Sequence, residues 1–542
     1  MIELNKQGKS QVNLYTEHYN KVADLKRNFE KILEKLNAVE NFEDKLELAL
    51  FAAKYFVYNN TGYFTSSVLE KFFVDYANTI KVDISGINYK PNSFLHVLTE
   101  GYKTGGHTRV VERWLENAPP PKSQIHSVVL TKANSSELTL LKKNVKDNNG
   151  EYICLDNNLS LKEKALELRK LAMQYEYIIL HTHMEDPIAI IAFGSEDFTR
   201  PVLLYNHASH MPWIGKSIAD LVLDIEHNDE VTRIKRGIQN TYFVGVPSKE
   251  IAISVPDKIK IRKELNLPID KKIIVTSGPE AKYRTICGHN FIDYIKDIID
   301  ENTYCYVIGI EPENIEWKKA KEETNNHIIP LGFIDFSKGF LNYLKAADLY
   351  LDSYPLCGGT ATIDAISCGT PALSLKSVYP QFDYLTRTTA YCLTKDEFIN
   401  KSKMVLTDKE YAKNLYEELK NSLFNYQSTE AWNKRMENLF SQAPKTHKVK
   451  DLSNEKDNSE ICDLSVLCNV LINNKFLKKK KIKSISSKKL NEIAKYGRLC
   501  KKQGIEHVFE TLFYKKSDRD IKLYKLFNII TLVPEKDSLQ PD

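Results

Sequence analysis

The first part of the chain has apolar residues at helical spacings. Over residues 22–36 they recur alternately three and four positions apart, which is the pattern of an amphipathic helix. A similar pattern over residues 46–56 predicts a second helix. Ser67, with Glu70 three residues later, has the spacing of a capping box and predicts the start of a third helix. We therefore predict a helical N-terminal domain over residues 1–90.

From residue 91 onward, short apolar runs alternate with helical patterns. Such runs are typical of buried strands, and helices between them are typical of the crossover connections of a parallel sheet. We predict a Rossmann-like α/β domain over residues 91–246, which we assign to the acceptor. Its predicted strands are residues 94–98, 125–130, 152–155, 177–180, 202–205 and 221–223.

A second series of strands and helices begins after Pro256 and predicts another Rossmann-like domain, over residues 247–445. Two such domains in succession are expected to face each other across a cleft, so the predicted fold class is α/β with two Rossmann-like domains. The predicted strands of the second domain are residues 273–276, 304–308, 328–331, 349–351 and 372–375.

Composition narrows the classes of protein. The 542 residues include 76 Lys plus Arg and 71 Asp plus Glu, a net charge of +5, which is too small for a basic nucleic-acid coat. The most apolar stretch, at residues 188–193, is far shorter than the roughly 18 residues of a membrane span. Nine cysteines without a CxxC pair indicate reduced thiols. We expect a soluble, cytoplasmic protein.

Basic charge is concentrated at residues 475–502, which hold twelve Lys or Arg and a single acidic residue, Glu492. Such a run is usual on a solvated helical face. It also suits docking on an anionic membrane surface, an acidic glycan or nucleic acid. Because interleaved aromatic residues for base stacking are lacking, we expect no nucleic-acid partner. We predict a basic, helical C-terminal extension over residues 446–542, with peripheral contact to the inner face of the membrane as the alternative to a solvated surface.

The most informative segment joins the last two predicted strands by a loop, a helix and a tight turn. Gly358 and Gly359 lie at the predicted start of the helix, where free backbone N–H groups and the hydroxyls of Thr360 and Thr362 would converge on an anion. Asp364, one turn into the helix, is placed to accept hydrogen bonds from a ribose diol. In the alternative interpretation, the glycines form only a turn and Asp364 is a capping charge.

This segment resembles the donor-binding segment of GT-B glycosyltransferases, and most closely that of protein O-linked N-acetylglucosamine transferases and of the bacterial cytoplasmic N-glucosyltransferases that modify adhesins. The resemblance covers about residues 94–440 and implies the GT-B fold. It includes residues 265–284, where Gly278 follows a predicted strand and similar enzymes place a cation on the leaving diphosphate. By this likeness Lys282 and Arg284 are candidate phosphate ligands.

One departure from the family leaves the stereochemical outcome open. Retaining members with a Glu-x7-Glu motif have a glutamate eight residues before the ribose-binding acid, where this chain has Leu356. The resemblance also implies a glycine loop near the donor sugar, here at Gly106 and His107. Because histidine suits proton transfer near neutral pH, His107 and His210 are the candidate catalytic bases. His107 would be just as usual as a loop residue without a catalytic role.

A further group of histidines follows two predicted strands. His181, His183, His207 and His210 lie where strand ends would meet the cleft, and Trp213 follows them. The group allows an acceptor-binding or proton-transfer role, binding of Zn²⁺ or Fe²⁺, or plain structural hydrogen bonding. The tryptophan would stack on a sugar ring or belong to the core.

The sequence therefore predicts a glycosyltransferase that moves a hexose, glucose or N-acetylglucosamine, from a UDP-sugar to a protein or a protein-linked glycan. We expect no cofactor and no metal, since the diphosphate has the cations and helix terminus described above. A glycosyltransferase that extends a surface polysaccharide is the near alternative. From other classes, the histidine group leaves a metal-dependent hydrolase open, and a sugar-nucleotide epimerase or a non-catalytic scaffold is a further alternative.

Overall fold

The structure is a computed structural model that describes residues 8–466, apart from residues 84, 104–105, 119–123, 135, 227–230, 247–256, 286–288, 336–338, 380, 458 and 463–464. The predicted basic run at 475–502 lies outside the described residues, and so do the helical form and the membrane contact predicted for it. Among the described helices, none is both long enough and apolar enough to cross a membrane.

Helices form the N-terminal part of the described chain, as predicted: α1 (Gly8–Ala38), α2 (Phe42–Asn59) and α3 (Ser67–Asn78). The capping box predicted from Ser67 is wrong. Ser66 caps α3 by accepting a hydrogen bond from the Leu69 N–H. Glu70 instead accepts hydrogen bonds from the backbone N–H groups of residues 215–217, and its complete burial there raises its pKa. The glutamate thus fixes a loop of the first sheet rather than the end of its own helix.

The first α/β unit is a parallel sheet of seven strands within the described residues. Six of them confirm the predicted strands, and the seventh was missed because Thr-Tyr-Phe, half-buried at the edge of the sheet, is no continuous apolar run. The strand order, β3-β2-β1-β4-β5-β6-β7, is that of a doubly wound Rossmann sheet. The strands are β1 (Ser93–Leu98), β2 (Ile125–Leu130), β3 (Tyr152–Cys154), β4 (Tyr177–His181), β5 (Val202–Asn206), β6 (Leu221–Asp224) and β7 (Thr241–Phe243). Its helices are α4 (Gly106–Glu116), α5 (Thr139–Asp147), α6 (Leu161–Ala172) and α7 (Ile188–Phe193).

The second α/β unit repeats this plan with six parallel strands in the described part of the chain, in the order β10-β9-β8-β11-β12-β13. Five strands confirm the prediction, and the two-residue β13 was missed. The strands are β8 (Lys272–Ser277), β9 (Thr303–Ile308), β10 (Ile328–Gly332), β11 (Leu349–Leu351), β12 (Ala372–Leu375) and β13 (Tyr391–Cys392). The helices are α8 (Lys258–Glu264), α9 (Phe291–Ile298), α10 (Ile315–Glu323), α11 (Phe340–Ala346), α12 (Thr360–Ser367), α13 (Asp383–Thr386), α14 (Lys395–Thr407) and α15 (Lys409–Gln427).

Both ends of the described chain pack on the first unit. Buried residues of α1 to α3 share one hydrophobic core with the first sheet, while the second sheet has its own core. After the second unit, α16 (Thr429–Gln442) returns to the first sheet, where Trp432 meets Trp114 edge-on with ring centroids 5.5 Å apart. The chain then continues along that unit, where His447 bonds Asp220 at 2.7 Å. The two α/β units confirm the predicted fold class, whereas the domain boundaries stay predictions.

Candidate functional site

A cavity of about 300 Å³ lies between the carboxyl ends of the two sheets. Segments that follow β5 and β6 form one wall, and segments that follow β8, β11 and β12 form the other. The carboxyl ends of parallel strands are where doubly wound sheets bind their ligands, so this cavity is the candidate active site. The first wall includes His207, His210 and Glu226, and the second wall includes Lys282, Gly358 and Gly359.

The second wall is a loop held by a buried carboxylate. Asp352 directly follows β11 and accepts hydrogen bonds from the Gly358 N–H at 2.5 Å and from the Ser374 hydroxyl at 3.0 Å. Complete burial raises the pKa of this carboxyl, and the bond from Gly358 opposes that effect. The carboxyl group therefore ties the glycine loop to two neighbouring strands.

Two glycines in this loop meet different requirements. A Cβ on Gly358 would lie 2.7 Å from Asp352 Oδ1 and 3.3 Å from the Tyr350 hydroxyl, so a side chain there would displace the loop. Gly359 has a φ of +60° and forms the N-cap of α12, in the left-handed region that favours glycine. The predicted glycine turn at a helix N-terminus is therefore present and borders the cavity.

Lys282 brings a positive charge to the same wall. Its Nζ donates a hydrogen bond to the Cys357 carbonyl at 2.6 Å. Gly278 leaves room for the lysine stem, because a Cβ there would lie 3.0 Å from Lys282 Cδ. Arg284 does not line the cavity; burial lowers the pKa of its guanidinium, and the charge of Glu280 opposes that effect. The structure thus brings Lys282, but not Arg284, to the glycine loop.

The three polar residues predicted in the first turn of α12 have different surroundings. Thr360 is exposed, whereas Thr362 is completely buried beneath the loop. We therefore keep Thr360 as a candidate ligand and assign Thr362 to the support of the loop. Asp364 Oδ1 lies 3.4 Å from Arg113 Nη2, an ion pair that joins the two α/β units. Its predicted contact with a ribose stays a prediction.

The first wall carries imidazoles and a carboxylate. His207 comes directly after β5, His210 follows three residues later, and Glu226 comes after β6. Burial, and then the positive charges of Arg236 and Lys282, lowers the pKa of His210 to about 4. Its ring is therefore neutral at pH 7 and able to accept a proton, which a general base requires.

His107 lies beside this wall, at the start of α4. Its ring stacks on that of His207 with centroids 4.1 Å apart, and its Nδ1 lies 3.0 Å from the carbonyl oxygen of His181. Since a carbonyl only accepts, Nδ1 carries the proton and Nε2 the lone pair. Burial, and then the charge of neighbouring His183, lowers the pKa of His107 to about 4. Gly106 and His107, predicted as a loop, instead form the first turn of α4, and His107 reaches the first wall from there.

Behind this wall, four histidines form a hydrogen-bonded line across the sheet, here called the histidine row. His126 Nδ1 lies 3.1 Å from His96 Nε2, His96 Nδ1 lies 3.2 Å from His181 Nε2, and His181 Nδ1 lies 2.8 Å from His207 Nε2. The members belong to or follow β2, β1, β4 and β5, which are neighbours in the sheet. Burial lowers the pKa of all four, to about 3 for His126, so the row is neutral at pH 7.

The structure does not support the metal site considered for the histidines. Both ring nitrogens of His181 are bonded to His96 and His207, so this ring has no free lone pair for a metal ion. Within the described residues, no group of three or more His, Cys, Asp or Glu is arranged to hold a metal ion. Trp213 is 4% exposed and packs under Arg236, 4.6 Å from its ring centroid, so it is a core residue rather than a sugar platform.

Sequence reasoning missed four residues of this region: His96, His126, Asp352 and Arg113. The two histidines occupy interior positions of strands that are mostly apolar, and this polar interruption was the available signal. Asp352 follows a buried strand directly, which is a position typical of site residues. No sequence pattern pairs Arg113 with Asp364, because that contact depends on how the two units meet.

Comparison with known proteins shows the fold. No protein-family model and no curated protein matches the chain. A glycosyltransferase from Rickettsia africae ESF-5 matches with a TM-score of 0.50 and 11% identity, over 66% of this chain and 98% of that chain. HepE of Anabaena in complex with UDP has a TM-score of 0.48 and 16% identity, over 64% of this chain and 99% of that chain. A mutant O-GlcNAc transferase of Thermobaculum terrenum has a TM-score of 0.45 and 11% identity, over 85% of both chains. The likeness to the Rickettsia glycosyltransferase confirms the predicted GT-B fold.

Proposed function

We propose that the protein is a glycosyltransferase that moves glucose or N-acetylglucosamine from a UDP-sugar to a protein or a protein-linked glycan. The observation that carries the proposal is a cavity with a glycine loop at a helix N-terminus on one wall and neutral imidazoles on the other. A nucleoside diphosphate leaving group requires the first feature, and deprotonation of an acceptor hydroxyl requires the second.

The diphosphate would lie against the glycine loop, between Lys282 and the N-terminus of α12. The hydrogen bond from Lys282 to the Cys357 carbonyl engages one of its three N–H donors, so two remain for phosphate oxygens. Exposed Thr360 begins the helix, where backbone N–H groups and the helix dipole favour an anion. These groups stabilise the negative charge that develops on the leaving diphosphate. We keep Asp364 as the candidate ribose ligand.

The acceptor would approach along the first wall. An inverting reaction needs a base that removes the proton of the acceptor hydroxyl, and His107, His207 and His210 are neutral imidazoles placed at or beside the cavity. A retaining reaction needs no such base. The choice of uridine, and of glucose or N-acetylglucosamine, rests on the resemblance of residues 351–373 to protein-modifying transferases.

The first test is a thermal-shift series with UDP-, GDP-, ADP- and TDP-sugars, each with and without EDTA. A ligand that binds only the native state raises the melting temperature by mass action. We expect stabilisation by the UDP series alone, unchanged by EDTA. No shift with any nucleotide would contradict the donor site, and a shift abolished by EDTA and restored by Mn²⁺ would contradict metal-independent binding.

The acceptor is tested next with the donor that gives the largest shift. Labelled sugar should pass to an adhesin-type protein or to a glycopeptide. Transfer to a polysaccharide fragment but not to protein would replace the proposed acceptor by a growing surface glycan. Conversion of the donor to its epimer without any acceptor would replace transfer by epimerisation.

A further inference from the structure

The histidine row has a direction. Its far end bonds Gln124, whose Oε1 lies 3.3 Å from His126 Nε2. With the Gln124 amide in this orientation its oxygen accepts, so His126 Nε2 carries a proton, and a neutral imidazole has one donor and one acceptor. His126 Nδ1 therefore accepts from His96, which accepts from His181, which accepts from His207. His207 Nδ1 is left with a lone pair at the end of the row that lines the cavity.

Aromatic rings enclose the row and keep water from its inner members. Trp114 lies edge-on to His96 with centroids 5.0 Å apart, and Phe94 stacks on His126 at 4.6 Å. Tyr205 covers the rings nearer the cavity. With water excluded, the hydrogen bonds between the rings are the route by which a proton can travel along the row.

The groups that face the row from neighbouring elements are other rings, a few cations and the Glu226 carboxylate, which lines the same cavity as His207. His107 of α4 stacks on His207 and, if charged, lowers the pKa of His207 further, and the same effect reaches His181. At the cavity, Lys282 and Arg236 already bring positive charge. These cations oppose a proton held at the cavity end, whereas the Glu226 carboxylate on the same wall favours one there. Three further groups are nearby. His183 lies beside the His107 ring, and the positive charges of Arg113 and Arg435 oppose the rise that burial causes in the pKa of Tyr205.

We propose that the histidine row is a proton relay, in which His207 removes the proton of the acceptor hydroxyl and the positive charge comes to rest on His126. The inference rests on the proposed function, and it assigns the base for an inverting transfer. Gln124 is partly exposed, so a charge on His126 lies nearer to water than a charge on His96 or His181 would.

The step balances without an oxidant or a metal. The acceptor O–H bond breaks and a bond from His207 Nδ1 to hydrogen forms, while the acceptor oxygen attacks the sugar carbon and the diphosphate leaves with the electron pair. The Nε2 protons of His207, His181 and His96 each move to Nδ1 of the next ring. His126 keeps its Nε2 proton, gains one at Nδ1 and becomes the imidazolium.

The first experiment needs no substrate and uses the full chain labelled with ¹⁵N-histidine. Scalar couplings across N–H···N hydrogen bonds should link His126 to His96, His96 to His181 and His181 to His207. On lowering the pH, the four rings should share one titration midpoint, below the ordinary histidine value of about 6.5. A missing coupling, or independent midpoints, would overturn the relay.

Cutting the row provides the second test. In H96Q, the His126 titration should separate from that of His181 and His207. If H96Q fails to fold, H126F shortens the row at its end and should shift the common midpoint of the remaining three rings. A titration that either folded variant leaves unchanged would overturn the relay.

Turnover then connects the row to the reaction. We expect H96Q to lower kcat at least tenfold and to keep the KM for the UDP-sugar within about twofold. For the wild type, a plot of kcat against the fraction of D₂O should be curved, because several protons move in the same step. H447Q is the matched control, since His447 is a buried histidine with both ring nitrogens bonded, to Asp220 and to the Phe193 carbonyl. It should lower the melting temperature and keep kcat.

The outcomes separate the two proposals. Wild-type kcat in H96Q, or a linear plot for the wild type, would overturn the relay while transfer itself stands. If the protein transfers sugar from no donor, the proposed function is overturned. If the three couplings and the common midpoint are nevertheless observed, the row remains as a unit that takes up one proton.

Discussion

The two walls of the cavity are built from the same kind of sheet edge but by different means. On the second unit, contiguous residues from Asp352 to Thr360 form the wall, and backbone groups, glycines and one lysine supply its chemistry. On the first unit, side chains from four strands are joined into one line by imidazole hydrogen bonds. The first arrangement suits a fixed anion and the second suits a moving proton.

This difference has a physical reason. An anion is held by several N–H donors that point to one place, and a loop before a helix provides them from neighbouring residues. A proton route needs groups that are both donor and acceptor at regular separations across the sheet, which adjacent parallel strands provide. The comparison therefore predicts that the two walls respond to different perturbations.

The largest expected effect is of pH on stability, and it acts through the first wall. The pKa values of His107, His126 and His210 are lowered to about 4, 3 and 4. Below pH 6.5 the unfolded chain binds protons that the folded chain does not, so the free energy of unfolding falls by up to roughly 1.4 kcal/mol per pH unit for each histidine until about pH 4. Urea unfolding at pH 7, 6 and 5 measures this. H126F is the comparison, because burial raises the pKa of Glu70 and Asp352, whose proton uptake acts in the opposite direction. An equal dependence on pH in both proteins would remove the basis for a neutral His126.

The next effect is on nucleotide binding through the second wall. In G358V, the side chain would overlap Asp352 Oδ1, since even a Cβ lies at 2.7 Å. We expect the displaced loop to weaken UDP binding by about 100-fold, which corresponds to roughly 2.7 kcal/mol. Calorimetry measures the affinity, and circular dichroism checks that the variant is folded. Unchanged affinity in a folded protein would separate the loop from the donor site.

A smaller effect is expected from the lysine. Removing a charge-assisted hydrogen bond in K282M should weaken UDP binding by about 10- to 100-fold. K271M is the matched control, because Lys271 is on the same unit and bonds Asn302 away from the cavity. Equal losses in both variants would show a general effect of charge rather than a contact with the diphosphate.

The smallest expected effect concerns Asp364, which pairs with a residue of the other α/β unit. D364N should weaken UDP binding by about tenfold if the carboxylate holds the ribose, a loss of roughly 1.4 kcal/mol. Since Asp364 also pairs with Arg113, the same substitution is made in an R113M background. An equal loss in both backgrounds supports a direct contact, whereas no loss in the R113M background would reduce Asp364 to an ion pair between the units.

Much of the fold could be predicted because its signals are local. Buried parallel strands are continuous apolar runs, and eleven such runs matched strands β1 to β6 and β8 to β12. The missed strands are β13, whose two residues are too few for a pattern, and β7, whose Thr-Tyr-Phe is half-buried and is no continuous apolar run. At α3 the predicted cap failed because Glu70 gains more bonds from a distant loop than from its own helix terminus.

The sequence by itself determined the two Rossmann-like units, the glycine turn before α12 and the lysine that follows β8, because each depends on neighbouring residues. Only the tertiary structure decided that His96 and His126 belong with His181 and His207, that Arg284 does not line the cavity, that Trp213 is buried, and that Arg113 meets Asp364. Those contacts depend on strand order, register and the meeting of two units, and a linear pattern of residues carries none of these.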